Sequence, residues 1–400
     1  MARLSLIISL LLVTLPVRAG VSGELKLQQS WVAEDNPNPV ADHYAVTLSS
    51  LRLLYQNNHG PFSWQGHYLL EGAFSEHWAS LQSFNQGAGT EPVWDLTDSI
   101  DQGEQGEANQ KIDRLWLMYS TGSWVIKAGR QAITWGSGRV FRPMDLFNPF
   151  SPTAKDTSYK PGADMLYLQY LYDSGADLQL LYVPRRDSVT GQVRQDTSSI
   201  AAKWLWFKGE SQYQFLLAQD YEDKVLGLGV STPVGQALLS TDVLPVWVPD
   251  NQFRWSWVST LEYSWSWLDT PVTGFIEYYR NGYGHTDKRA LDEQSLLLQE
   301  RIGRGQLFNR SRDYLAAGLT VQYTALTTVS PTLIQNLHDH SRLISLSLSY
   351  DLSQNSRLTM GLRLPVGSEG SEYGGLKLSE NSNTLVRSSS ELYFRWAFFY

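Results

Sequence analysis

The stretch Phe253–Trp267, FRWSWVSTLEYSWSW, is apolar at every second position but Ser259. Phe253, Trp255, Trp257, Leu261, Tyr263, Trp265 and Trp267 fall on one side of an extended chain, with Arg254, Ser256, Thr260, Glu262, Ser264 and Ser266 on the other. A period of two marks a strand with one greasy face and one wet face. The pattern recurs from Phe62 to Phe74, where Phe62, Trp64, Gly66, Tyr68, Leu70, Gly72 and Phe74 alternate with Ser63, Gln65, His67, Glu71 and Ser75. It recurs again in Ile344, Leu346, Leu348, Tyr350 and Leu352, and in Leu358, Met360, Leu362, Leu364 and Val366.

Alternation suits a soluble sandwich as well as a membrane barrel, so the aromatics have to decide. Trp255 and Trp257 stand at one end of their strand and Trp265 and Trp267 at the other, the spacing of two interfacial aromatic girdles. In a sandwich the four indoles would have to share one core, each N–H with a partner. Connections give a second test. Segments read as strands run from 23–33, 43–56 and 62–76 through to 341–352, 355–366 and 386–400. With the first rising from the periplasm, every long connection (77–110, 135–162, 185–197, 282–312, 367–385) falls at one end. The other end has short turns such as Asn57–Pro61, Thr121-Gly122 and Asp269–Pro271. The reading is all-β: an antiparallel transmembrane barrel of about 18 strands, or 16 if the irregular segments 235–246 and 330–337 are not strands.

The N-terminus carries Arg3, an apolar stretch Leu4–Leu15, Pro16 and the small-residue site Val17-Arg18-Ala19. This is the pattern of a secretory signal peptide, residues 1–19, leaving 20–400 as one barrel. No later segment is long and apolar enough for a membrane helix. Without Arg3 and Arg18 the remaining chain has 30 basic residues against 40 acidic ones, which argues against nucleic acid as a partner. There is no cysteine, hence no disulfide framework. The 15 Trp, 21 Tyr and 14 Phe beside only 18% charged residues fit a wall that shows one face to lipid and one to water.

The chain ends on a strand whose Leu392, Phe394, Trp396, Phe398 and Tyr400 share a face, with an aromatic residue last. Phe394, Trp396, Phe398 and Tyr400 resemble the terminal signal of Gram-negative outer-membrane β-barrels. The resemblance implies an outer-membrane location, passage by periplasmic chaperones and the barrel assembly machinery, and contact with lipid and lipopolysaccharide. It leaves a homo-oligomer open.

The most distinctive stretch is Gly129–Asp164, GRQAITWGSGRVFRPMDLFNPFSPTAKDTSYKPGAD. Its glycines and prolines exclude regular structure, while Trp135, Phe141, Phe147 and Phe150 argue for an ordered segment. Its Trp-Gly-x-Gly and Pro-x-Asp-x-x-Asn-Pro pattern resembles a segment of porin-like outer-membrane barrels. The resemblance implies a barrel family and no particular substrate; the ordered loop 135–162 is expected to fold into the lumen and narrow it, as the third loop does in general porins, with an extracellular loop packed on its own aromatics as the alternative. Eight basic residues (Lys127, Arg130, Arg139, Arg142, Lys155, Lys160, Arg185, Arg186) face five acidic ones between Lys127 and Arg186. A pore lined by Arg and Lys favours anions. The expected solute path therefore takes in Lys127, Arg130, Trp135, Arg139, Phe141, Arg142, Asp145 and Asn148, with the wall residues Arg254, Glu262, Arg363 and Arg395. Lumenal Glu71, Glu262 and Glu277 are expected to oppose Arg254, Arg363 and Arg395.

The function read from this is a channel for passive passage of small hydrophilic solutes, with an anion preference and no cofactor. Two other classes stand beside it. One is an outer-membrane hydrolase, which would need a nucleophile and a base; no G-x-S-x-G or H-E-x-x-H motif occurs, and His67 and His77 are the bases to test. The other is a plugged barrel serving adhesion or as a scaffold. No metal site is expected: the acidic loop 77–110 matches no calcium-loop spacing, and His338-Asp339-His340 would point its side chains apart.

Overall fold

The computed structural model describes residues 20–33, 43–78, 92–249, 252–379, 381, 385–386 and 388–400. Residues 1–19, read as a signal peptide, lie outside the described residues.

The wall is built of β1 (Val21–Ala33), β2 (His43–His59), β3 (Phe62–Phe74), β5 (Gly106–Thr121), β6 (Trp124–Gln131), β7 (Ala163–Leu171), β8 (Asp177–Val183), β9 (Ser199–Lys208) and β10 (Ser211–Asp220). It continues with β11 (Asp223–Val234), β12 (Ala237–Val248), β13 (Gln252–Trp267), β14 (Thr270–Arg280), β15 (Asp313–Thr324), β16 (Thr327–Asn336), β17 (Arg342–Ser353), β18 (Ser356–Val366) and β21 (Ser390–Phe399). Each strand pairs antiparallel with the next, and β21 pairs with β1, so the sheet closes without a free edge. The two irregular segments are both full strands, β12 and β16, and eighteen strands form the wall. Closure matters because lipid offers no partner for an unpaired N–H or C=O.

Two features differ from the sequence reading. The stretch 77–110 is not all loop: β4 (Thr97–Gly103) pairs with the first residues of β5, which begins at Gly106. A further short pair, β19 (Leu376–Lys377) with β20 (Leu385–Val386), lies between β18 and β21, so the last wall strand starts at Ser390. Neither extra carries a lipid-facing alternation to mark it: β4 is mostly polar and fully exposed, and β19 and β20 are two residues each.

Facing residues of antiparallel partners lie on the same side of a sheet, so the register assigns every wall side chain inward or outward. Leu261, Ile276, Leu319, Leu333 and Ile344 are outward and exposed, whereas Asp242, Glu277, Asn281 and Asn336 are fully buried. That inverts a soluble protein and is what a lipid-facing wall requires. Aromatic contacts mark both rims: Phe62 with Tyr119 and Trp124 with Tyr170 at the turn end, Trp31 with Phe394 and Trp247 with Phe253 at the other. At the closing seam the Tyr400 ring lies across Gly23, where an added Cβ would stand 2.2 Å from the ring; only glycine leaves that space.

Candidate functional site

Inward-facing charge is uneven around the wall: one arc has an excess of cations, with Glu24, Asp113 and Glu391 among them, and the opposite arc an excess of anions, with Lys203 and Arg254 among them. On β18, β21, β1, β2, β5 and β6 the register turns Arg357, Arg363, Arg395, Lys26, Arg52, Arg114 and Lys127 inward. Across the lumen, β8 to β14 turn in Asp177, Asp220, Asp223, Asp242, Glu262 and Glu277. The basic arc also carries a β-bulge: the β3–β5 register skips Asp113, so that Asp113 and Arg114 both face inward. Asp113 accepts from Arg52 at 2.6 Å and from Arg114 at 3.1 Å.

Residues 132–162 run between these arcs. On the acidic side the Ser137 N–H donates to Asp242 at 2.7 Å. The successive N–H groups of Arg139, Val140 and Phe141 donate to the Glu277 carboxylate at 2.6, 3.0 and 2.8 Å, and the Thr260 hydroxyl donates to it at 2.7 Å. One buried anion thus serves three backbone donors that would otherwise be unpaired. The Trp-Gly-x-Gly pattern makes this turn possible: Gly136 has φ +89°, and a Cβ on Gly138 would stand 1.9 Å from the Phe141 carbonyl oxygen. On the basic side Asp156 accepts from Lys26 at 2.7 Å and pairs with Arg395 at 3.0 Å, while the Arg52 guanidinium lies 4.2 Å above the Tyr159 ring. Lys155 pairs with Glu391, and Arg363 donates to the Thr153 carbonyl.

The sequence-derived residues separate into three groups. Trp135 and Phe141 are buried, the indole N–H donating to Gln179 at 2.8 Å and the Phe141 ring stacked 4.5 Å from Tyr279. Asp145 is buried against Lys160, and Asn148, with φ +53°, donates to the Gly162 carbonyl at 3.0 Å; these two hold the segment's own shape, while Trp135 and Phe141 seat it on the wall. Arg139, Arg142, Glu262, Arg363 and Arg395 lie where the segment meets the wall: Arg139 pairs with Glu262 at 2.8 Å, and Arg142 donates to the Gly138 carbonyl at 2.8 Å. Arg130, Lys127 and Arg254 lie apart. Arg130 is committed to Asp164 at 2.8 Å and to the Trp94 carbonyl. Lys127 sits 3.9 Å over the Trp116 ring, without an ion-pair partner among the described residues. Arg254 shares β13 with Glu262 and bonds Gln252, so it does not oppose that carboxylate; two even-numbered residues of one strand necessarily face the same way. Lys26, Arg52, Asp113, Asp156 and Asp242 were missed, although each wall residue among them sits at an inward position of its alternating strand.

Of the histidines offered as bases, His67 is buried with neither ring nitrogen bonded, and His77 packs against Tyr44. His338 contacts Asp313 at 2.7 Å, and no metal-binding group of His, Cys, Asp and Glu occurs among the described residues.

Two long connections meet at the open end. In residues 281–312 the helix α1 (Leu296–Gly303) buries Leu298 and Arg301, and Arg301 pairs with inward Asp223. Glu372, in the connection after β18, accepts from the Arg310 N–H and the Asn336 amide at 2.9 Å each and from the Tyr314 hydroxyl. Burial pushes its carboxyl up to about 6, against the lowering effect of these donors. Because the folded value lies above the ordinary one, the folded form binds the extra proton between about pH 4.5 and 6, and stability falls as pH rises through that window. The knot of Arg310, Asn336 and Glu372 should therefore be better protected at pH 5 than at pH 7. Hydrogen exchange corrected for intrinsic rates checks this, and Glu372→Gln should abolish the difference.

No protein-family model matches the sequence, and no curated protein matches it. Solved structures do match in fold. A BenF-like porin from Pseudomonas fluorescens Pf-5 superposes with TM-score 0.56 at 8% identity, covering 95% of this chain and 98% of that one. Wzi of Escherichia coli, described as a carbohydrate-binding β-barrel involved in group 1 capsule assembly, gives 0.55 at 11% identity over 100% of this chain and 87% of that one. OccK5 (OpdH) of Pseudomonas aeruginosa gives 0.53 at 7% identity over 95% and 98%. With its closed antiparallel wall, apolar exterior and charged interior, the chain has the membrane β-barrel fold of these porins.

Proposed function

We propose that the protein is a channel for passive passage of small hydrophilic solutes, narrowed by residues 132–162 and selective for anions. The observation that carries this reading is the pair of opposed charge arcs with the segment strung between them. Such a cross-section orders a dipolar solute and removes bulk water from part of its path. Porins among the fold neighbours support the channel class.

Anion preference rests on cations whose charge the wall does not cancel. Arg139 is not one of them, since Glu262 neutralises it. Lys127 lies over an indole, and Arg363 and Arg142 are bonded to carbonyls and keep their charge. In a planar bilayer under a salt gradient, the reversal potential should report anions, and Arg142→Ala with Arg363→Ala should move it toward zero. Arg139→Ala should move it further toward cations, because it leaves Glu262 bare. An unchanged potential in the double variant removes the selectivity proposal.

A second reading is favoured by one observation: the segment is bonded to the wall on both sides of the lumen, as a plug would be. A plugged barrel serving adhesion or as a scaffold would show no unit conductance in the same bilayer.

A further inference from the structure

On the lipid-facing side the register sets Leu168, Leu180, Ala202, Leu217 and Leu226 in one row across β7 to β11. Four strand intervals make this row about 19 Å long. Its middle residue is small where its neighbours are large. The next row toward the open end passes through Tyr182 and Ile200 to Gln219, Lys224 and Trp247. Together the rows line a groove of about 790 Å³ whose floor is almost wholly apolar.

Its polar end is chemically specific. Lys224 is exposed and has no ion-pair partner among the described residues, with the Gln219 amide beside it on the adjacent strand. It is the second residue of β11, at the end of the long connections, level with the Trp247–Phe253 contact of the rim. Arg280, the outward cation of β14, is by contrast already satisfied by Asp313 at 3.6 Å and by the Trp255 ring at 4.6 Å. A free ammonium at headgroup height above an apolar trough complements a phosphate joined to an acyl chain. Its height at the open end selects the outer leaflet.

We propose that this groove binds one phosphorylated acyl glycolipid of the outer leaflet, with an acyl chain over Ala202 and a phosphate at Lys224. The site rests on the wall alone and does not depend on the channel reading.

The test is titration of diphosphorylated lipid A into the detergent-solubilised barrel, with bound lipid counted by native mass spectrometry. One lipid should bind ahead of the rest. Lys224→Glu and Ala202→Phe, both on the lipid-facing surface, should each weaken that first event about tenfold, and Lys224→Arg should retain it. Dephosphorylated lipid A should bind the unaltered barrel as weakly as the phosphorylated form binds Lys224→Glu. Equal binding by the unaltered, Lys224→Glu and Ala202→Phe barrels overturns the proposal. So does a first event that phosphatidylglycerol fills as well as lipid A. Native mobility on electrophoresis before and after heating establishes that each variant is folded.

Discussion

A Glu277→Ala barrel should keep its wall but release residues 132–162, with a larger single-channel conductance and new protease cleavage near Arg139. The carboxylate is fully buried and accepts three consecutive backbone N–H groups as well as the Thr260 hydroxyl. Its removal strands those donors. Lumenal water can reach some of them, so the lower end of the usual cost of an unmade bond applies, about 1 kcal/mol each. Roughly 3 kcal/mol multiplies the released population about a hundredfold. The Phe141 ring would leave its stack on Tyr279 in the same step. Nothing on the lipid face changes, and heat-modifiable mobility should stay that of the unaltered protein. Glu277→Gln, which keeps an acceptor oxygen, should lie between the two. If conductance and cleavage were those of the unaltered barrel, the Glu277 cradle would not be what holds the segment.

The second large effect is at the seam. Truncation after Ser389 should abolish the barrel altogether. Strand β21 supplies ten facing pairs to β1 and eight to β18, so its loss exposes two rows of backbone donors and acceptors. In lipid each unsatisfied group costs several kcal/mol, a total that exceeds any domain's net stability. The refolded chain should show neither a heat-modifiable band nor a protease-resistant core. Tyr400→Ala is the informative contrast: it loses the ring over Gly23 yet keeps every ladder bond, so it should refold in micelles. Should the terminal aromatics Phe394, Trp396, Phe398 and Tyr400 also serve as the assembly signal, this variant will reach the membrane in cells in reduced amount. Full recovery in cells would confine Tyr400 to packing.

Much of the wall was legible residue by residue. Whether Trp265 meets lipid or Ser264 meets water depends on parity within one strand, a local property written at every second position. Strand number and the placing of long connections at one end followed from the same periodicity. The hairpin of β4 and the short β19–β20 pair did not, because the first is mostly polar and the second has only two residues a side, too few to show an alternation.

The site was legible in composition but not in arrangement. Gly136, Gly138 and the aromatics of 135–162 announced an ordered, tightly turned segment. Its partners were hidden, since Phe141 and Glu277 are 136 positions apart and Lys155 and Glu391 are 236 apart. Pairings of that kind depend on how far round the wall each strand falls once β21 has closed on β1. Arg139 shows the consequence: by sequence a free cation of the path, in the folded chain the partner of Glu262. Inside and outside were thus decided by sequence alone, through the two-residue period of an extended chain. Which inward charges meet, and which remain free, was decided only by closure of the sheet, because distant strands acquire neighbours across the lumen through geometry that no local pattern records.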